Sequence, residues 1–123
     1  MTYLLIGIGG FLGANARYVV AGCVTERYGA SFPYGTLVIN VSGSFLLGLF
    51  LALITDRFIV HPYWRLFFAI GFLGGYTTFS TFSFESFALL LERSFLLAVA
   101  NMAGSVLLGQ LAVLVGMWVA RLL

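Results

Sequence analysis

The sequence predicts an all-α integral membrane protein that crosses the bilayer four times as a single domain, residues 1–123. Of the 123 residues, 62% are hydrophobic and only 8% are charged, and the mean hydropathy is +1.10. A water-soluble domain carries about 25% charged residues. A transmembrane helix needs about 20 consecutive apolar residues, and four such stretches occur here, separated by short charged segments.

The first two spans are bounded by turn signals and charges. The first is predicted over 3–24, because the water-facing segment Thr25-Glu26-Arg27 follows it. The second is predicted over 35–55, between the turn signal Pro33-Tyr34-Gly35 and the charged pair Asp56-Arg57. The start of the chain lacks the basic residues of a signal peptide, so we expect the first span to remain in the membrane.

The last two spans are separated by a single charged turn. The third is predicted over 63–91, and Glu92-Arg93-Ser94 ends it. The fourth is predicted over 95–120, with Arg121 as its terminal anchor. Together the four spans place the protein in the cell (inner or plasma) membrane as a multi-pass protein, in contact with the lipid bilayer.

The charges are too few and too scattered for a nucleic-acid partner. The net charge of +2 comes from six arginines and no lysine, set against four acidic residues. These arginines form no basic patch. The charges also give almost no bias in membrane orientation. The side with the termini carries three arginines, Arg57, Arg65 and Arg121. The other side carries Arg27 and Arg93, and also Arg17 if that residue lies close to the membrane surface.

This balance predicts that the chain inserts in both orientations. An antiparallel homodimer then follows, since a two-fold axis in the membrane plane makes the interface self-complementary. Small residues, such as the GxxxG pair Gly9 and Gly13, also indicate close helix contact in lipid. The sequence leaves open whether that contact lies within one subunit or between two.

The third span changes character halfway. Gly74 and Gly75, followed by Thr77 and Thr78, are poor helix formers, and we predict a helix break near the bilayer midplane. Non-helical backbone at that depth must be buried in protein or line a polar cavity. Freed carbonyl oxygens suit a small cation, although a simple flexible kink remains an alternative.

The helix after the break mixes hydroxyl groups with aromatic rings. Phe79 and Phe82 are three residues apart and share a face, and Ser80, Thr81 and Ser83 lie among them. The positive edge of a Phe ring can hold a desolvated anion that hydroxyl groups also solvate. The alternative is that both rings are ordinary packing or lipid-facing residues.

Other polar residues lie inside the spans. Glu85 is the only acid within a span, which makes it a functional candidate, unless it lies shallow or pairs with Arg17. Arg17 either attracts anions at a vestibule or snorkels to the interface. Two amides each precede a serine by one turn, Asn40 before Ser44 and Asn101 before Ser105; these pairs either bridge helices or line a shared polar path.

Three motifs together resemble the Fluc/CrcB family of fluoride channels. They read Gly10-x-x-Gly13-Ala14-x-x-Arg17-Tyr18, then Gly35-Thr36-Leu37-x-x-Asn40-x-x-Gly43, then Gly71-x-x-Gly74-Gly75-x-Thr77-Thr78-Phe79-Ser80-Thr81-Phe82-Ser83-x-Glu85. The resemblance implies a dual-topology homodimer with two pores that passively release fluoride from the cell. It also implies a structural Na⁺ at the dimer centre, held by the backbone carbonyls of Gly74 and Thr77 from both subunits.

The resemblance also implies roles for the polar residues. Phe79 and Phe82 match the pore-lining rings, and Asn40 matches the pore amide. Ser80, Thr81 and Ser83 match the hydroxyl track, with Glu85 at its end, and Asn101 and Ser105 border the pore. The protein is then an ion channel and not an enzyme. The rival interpretations are a small dual-topology multidrug or cation exporter and a non-transporting assembly subunit.

Overall fold

The computed structural model describes all 123 residues, and every regular element in it is a helix. Four helical spans are each long and apolar enough to cross a membrane: Thr2–Tyr28, Tyr34–Arg57, Arg65–Leu91 and Phe95–Leu122. The predicted four-span, all-α architecture is therefore confirmed, and the protein is a multi-pass membrane protein.

The ends of the first two spans differ slightly from the prediction. Thr25-Glu26-Arg27 belongs to the last turn of the first helix, and the chain turns at Gly29 instead. Gly29 has φ 82°, a conformation that glycine adopts without steric penalty. The last turn of the second span, Leu53–Arg57, is π-helical. The Arg57 guanidinium donates to the Arg121 carbonyl and so joins the ends of the second and fourth spans.

The spans pack in two pairs, first against third and second against fourth. Glycines allow the backbones to approach closely. A methyl group on Gly9 would overlap the Phe67 carbonyl, and one on Gly13 would overlap the Phe72 carbonyl. The GxxxG pair of the first span therefore packs within the chain. Gly48 and Gly116 play the same part between the second and fourth spans.

The third span is broken halfway along its length. Residues 65–76 are helical, and their first part, Arg65–Leu73, is π-helical. Thr77 (φ −81°, ψ 158°) and Thr78 (φ −150°, ψ 122°) are extended, and an α-helix resumes over Phe79–Leu91. We call residues 65–76 the first half of the span and Phe79–Leu91 the second half.

The break lies at the two threonines and not at the paired glycines. Gly74 is helical, with φ −63° and ψ −37°. Gly75 serves close packing, because a β-carbon there would meet the Gly10 carbonyl oxygen at 2.7 Å. The predicted break is thus found, but it lies after the glycines, and Gly75 allows the first and third spans to pack closely.

A small buried core holds the second and third spans together. Ile39, Leu73 and Tyr76 are its buried members. The Tyr76 hydroxyl shares a hydrogen bond of 2.9 Å with Ser42 Oγ, which satisfies both groups away from water. The motif gave no reason to single out Tyr76, yet its side chain anchors the end of the first half.

Candidate functional site

The side chain of Asn40 pairs with the backbone at the break. Its Nδ2 donates to the Thr78 carbonyl at 2.9 Å, and the Thr78 N–H donates to Asn40 Oδ1 at 2.9 Å. In a continuous helix that N–H would donate to the Gly74 carbonyl. Asn40 therefore supplies, from the second span, the hydrogen bonds that the broken helix no longer makes.

Thr78 also begins the second half of the span. Its Oγ1 accepts the N–H of Thr81 at 3.3 Å and donates to Thr81 Oγ1 at 3.1 Å. Threonine is a favoured N-cap residue because its hydroxyl satisfies one of the free amides of the first turn. The helix thus restarts cleanly after only two extended residues.

The carbonyls of Gly74 and Thr77 are among those at the break that accept no hydrogen bond from a backbone N–H. Both residues line a cavity of about 290 Å³, together with Asn40, Ser44 and Phe79. Neutral carbonyl oxygens of unwound membrane helices are the groups that coordinate Na⁺ in transporters. The carbonyl oxygens at this break are therefore chemically suited to the Na⁺ that the resemblance implies.

The hydroxyl and ring residues of the second half lie at the surface of the single chain. The rings of Phe79 and Phe82 are tilted against each other, with centroids 5.8 Å apart. Phe79 is 78% exposed, Phe82 is half-buried, and Ser80, Thr81 and Ser83 are exposed. One chain alone therefore presents these groups on an open face and does not enclose them.

Glu85 is held by the second span and not by Arg17. Thr36 Oγ1 donates to Glu85 Oε1 at 2.8 Å, while Oε2 is shielded and has no partner. Both residues border a second cavity of about 330 Å³ beside the loop that joins the first two spans. No role was predicted for Thr36, although it lies one turn before Asn40 and thus on the same helix face.

Asn101 and Ser105 belong to a separate cluster. Ser105 Oγ donates to Asn101 Oδ1 at 3.3 Å, and Asn101 Nδ2 donates to Ser86 Oγ at 2.8 Å. These residues do not line the cavity of Asn40, and Asn101 bridges the fourth span to the third through its hydrogen bond to Ser86. Ser86 completes the bridge, a role that its position in the sequence does not indicate. Arg17 is half-buried on the first span and lines neither cavity.

Comparison with known proteins agrees with this architecture. The family model "CrcB-like protein, Camphor Resistance (CrcB)" matches residues 4–117. A protein of Solibacter usitatus named fluoride-specific ion channel FluC is 52% identical over 121 residues, covering 98% of this chain and 99% of the relative. Proteins of the same name from Koribacter versatilis and Hydrogenovibrio crunogenus are 46% and 43% identical, covering 91% and 98% of this chain and 89% and 92% of those relatives. With a broken third span, matching motifs and relatives that align over nearly its whole length, this chain belongs to the CrcB family.

Proposed function

We propose that this chain is the subunit of a fluoride-specific ion channel, through which fluoride leaves the cell passively and its toxic cytoplasmic concentration falls. The relatives that carry this name align with almost the whole chain. The observation that carries the proposal is the second half of the third span, where hydroxyl groups and aromatic rings follow a helix break at Thr77 and Thr78.

The chemistry of this face suits fluoride. Fluoride is small and strongly hydrated, so a pore must replace its water with closely spaced hydrogen-bond donors. Ser80, Thr81 and Ser83 supply hydroxyl donors, and the rings of Phe79 and Phe82 offer positive edges. No step of such conduction requires covalent chemistry, and the protein acts as a channel and not as an enzyme.

Asn40 contributes both to the pore and to its frame. An amide nitrogen carries two hydrogens, and one of them is used on the Thr78 carbonyl. The other is left to donate to a passing anion. Glu85, held by Thr36, ends the hydroxyl track, Asn101 and Ser105 border the pore from the fourth span, and Arg17 attracts anions at its mouth.

A second copy completes the pore. Hydroxyl groups that face lipid without partners are costly. In one chain Ser80, Thr81 and Ser83 are exposed, and Ser80 and Thr81 share hydrogen bonds only with the Thr78 hydroxyl. We propose that an antiparallel copy covers them, so that two pores form between the subunits. The near balance of arginines on the two sides of the chain supports insertion in both orientations.

The same dimer brings two copies of the break together. The carbonyls of Gly74 and Thr77 have no backbone donor, and two copies would present four such oxygens to one structural Na⁺. The ion would neutralise their partial negative charge and tie the two subunits at the dimer centre. It is a structural component and not the transported ion.

The rival functions predict different behaviour. A multidrug or cation exporter would move organic cations in response to pH, and an assembly subunit would move nothing alone. Small exporters of this kind rest on a glutamate well inside the first span, whereas here Glu26 lies in the last turn of that helix and the acid farther from a helix end is Glu85, in the third span. The names of the relatives also favour the channel.

Ion efflux from liposomes that hold the purified protein tests the proposal. We expect rapid release of fluoride, no comparable release of chloride, and no release from protein-free liposomes. Transport of organic cations without fluoride release would decide for the exporter, and the absence of any flux would decide for the assembly subunit.

A further inference from the structure

A buried chain of hydrogen bonds joins the fourth span to the second half of the third. Ser105 Oγ donates to Asn101 Oδ1 at 3.3 Å, and Asn101 Nδ2 donates to Ser86 Oγ at 2.8 Å. Ser86 Oγ in turn donates to the Phe82 carbonyl at 2.8 Å. The chain runs in one direction, and it ends on the backbone of an aromatic residue of the proposed pore.

This cluster is among the most buried polar groups of the protein. Asn101 is 2% exposed and Ser86 is 4% exposed. Neither side chain has water within reach at that burial, so each must keep its partner within the protein. The bridge is therefore a fixed part of the structure and not an occasional surface contact.

The second half of the third span needs such a tether because the break separates it from the first half. Two extended residues precede it, and a turn with Arg93 at φ 59° follows it. Helical backbone hydrogen bonds therefore do not continue past either end of this helix, and they do not fix its rotation about its own axis. The fourth span is the main neighbour of this helix, so contacts with that span fix how the helix is turned.

Rotation of this helix would move the pore rings directly. Phe82 lies one turn before Ser86 and thus on the same helix face. A side chain about 6 Å from the helix axis moves by about 2 Å when the helix turns by roughly 20°. A shift of that size is enough to take a ring edge out of contact with a small anion.

We propose that Ser86 is a positioning residue, which through Asn101 fixes the rotation of the second half of the third span and hence the direction of the Phe82 ring. This inference rests on the proposed channel function. It assigns to Ser86 a role in selectivity, although Ser86 is buried and does not contact the ion.

The test compares Ser86→Ala and Ser86→Cys with the wild-type protein in liposomes. We expect Ser86→Ala to slow fluoride release by between about 3-fold and 10-fold, the range that follows from losing one hydrogen bond between membrane helices, and to raise chloride release relative to fluoride. Ser86→Cys keeps the shape and a weak hydrogen-bonding group, so its fluoride release should lie between that of the wild-type protein and that of Ser86→Ala. Ser94→Ala is the matched control, because the Ser94 side chain makes no capping hydrogen bond.

Selectivity is the decisive measurement, because a merely structural defect would lower the amount of assembled protein without changing the ratio of the two anions. If Ser86→Ala does not assemble, Ser86→Cys carries the same comparison. If the wild-type protein releases fluoride and the assembled variants keep the same rate and the same ratio of chloride to fluoride release, this inference is overturned but the channel function is not. No fluoride release from the wild-type protein would overturn the channel, and this inference with it.

Discussion

Replacing Asn40 by leucine should destabilise the protein more than any other single hydrogen-bond deletion in the second span. Leucine is close to asparagine in size but offers neither a donor nor an acceptor. The change removes both 2.9 Å hydrogen bonds to Thr78. The N–H and C=O of Thr78, a residue that is 9% exposed, are left without partners at the break.

The expected loss of stability is about 2 to 4 kcal/mol. Each hydrogen bond contributes a net of about 1 kcal/mol, and a buried group left unpaired costs about 1 to 3 kcal/mol. Pairs between membrane helices average about 0.6 kcal/mol, and the strongest reach about 1.7, which favours the lower part of the range. At 1.4 kcal/mol per factor of ten, the folding equilibrium constant should fall roughly 30-fold to 1,000-fold.

Unfolding by denaturing detergent in mixed micelles, at one fixed protein concentration, measures this loss. Ser42→Ala is the matched control, because it removes the two hydrogen bonds of one hydroxyl on the same helix, those with Tyr76 and the Ile39 carbonyl, and leaves the break intact. If Asn40→Leu is no less stable than Ser42→Ala, the reasoning is refuted.

Asn40→Asp separates the two roles of this residue. It keeps an acceptor for the Thr78 N–H and adds a negative charge, so it should nearly abolish fluoride release.

Three more substitutions test other parts of the structure. Phe82→Ile keeps the apolar bulk but loses the ring edge, so fluoride release should fall roughly tenfold while the protein still assembles; undiminished release in liposomes would exclude the role of the ring. Gly75→Ala should cost about 1 to 3 kcal/mol, because its β-carbon would meet a first-span carbonyl oxygen at 2.7 Å. Gly7→Ala, which meets nothing within 4 Å, is the control for helix propensity, and equal unfolding midpoints would argue against close packing. Thr36→Val removes the 2.8 Å hydrogen bond to Glu85 with little change of shape; we expect several-fold slower release, and wild-type rates would mean that Glu85 is positioned by other contacts.

The four spans could be predicted because hydropathy depends on composition over about 20 residues, and neighbouring contacts scarcely change it. The break was predictable for the same reason, since glycines and threonines in one apolar segment are poor helix formers. Its location was not. Gly74 and Gly75 are both helical, and Gly75 packs directly on the first span, a contact that only the tertiary structure shows.

The partners of the polar residues were also beyond the sequence. Asn40 was expected to face the pore, but nothing in its spacing indicated that it would pair with the backbone of Thr78, 38 residues later. The spacing of Asn101 likewise did not indicate that it would donate a hydrogen bond to Ser86, on another helix. Hydrogen bonds across helices depend on the rotation of both helices, which local sequence patterns do not determine.

The order of the spans along the chain has a consequence for how the protein is made. A ribosome delivers the second span, with Asn40, 38 residues before Thr78 emerges, and the amino-terminal parts of a chain fold first during synthesis. The acceptor and donor that the broken span needs are therefore already in the bilayer when that span arrives. The nascent third helix can therefore enter lipid with the N–H and C=O of Thr78 paired at once, before any later segment is made.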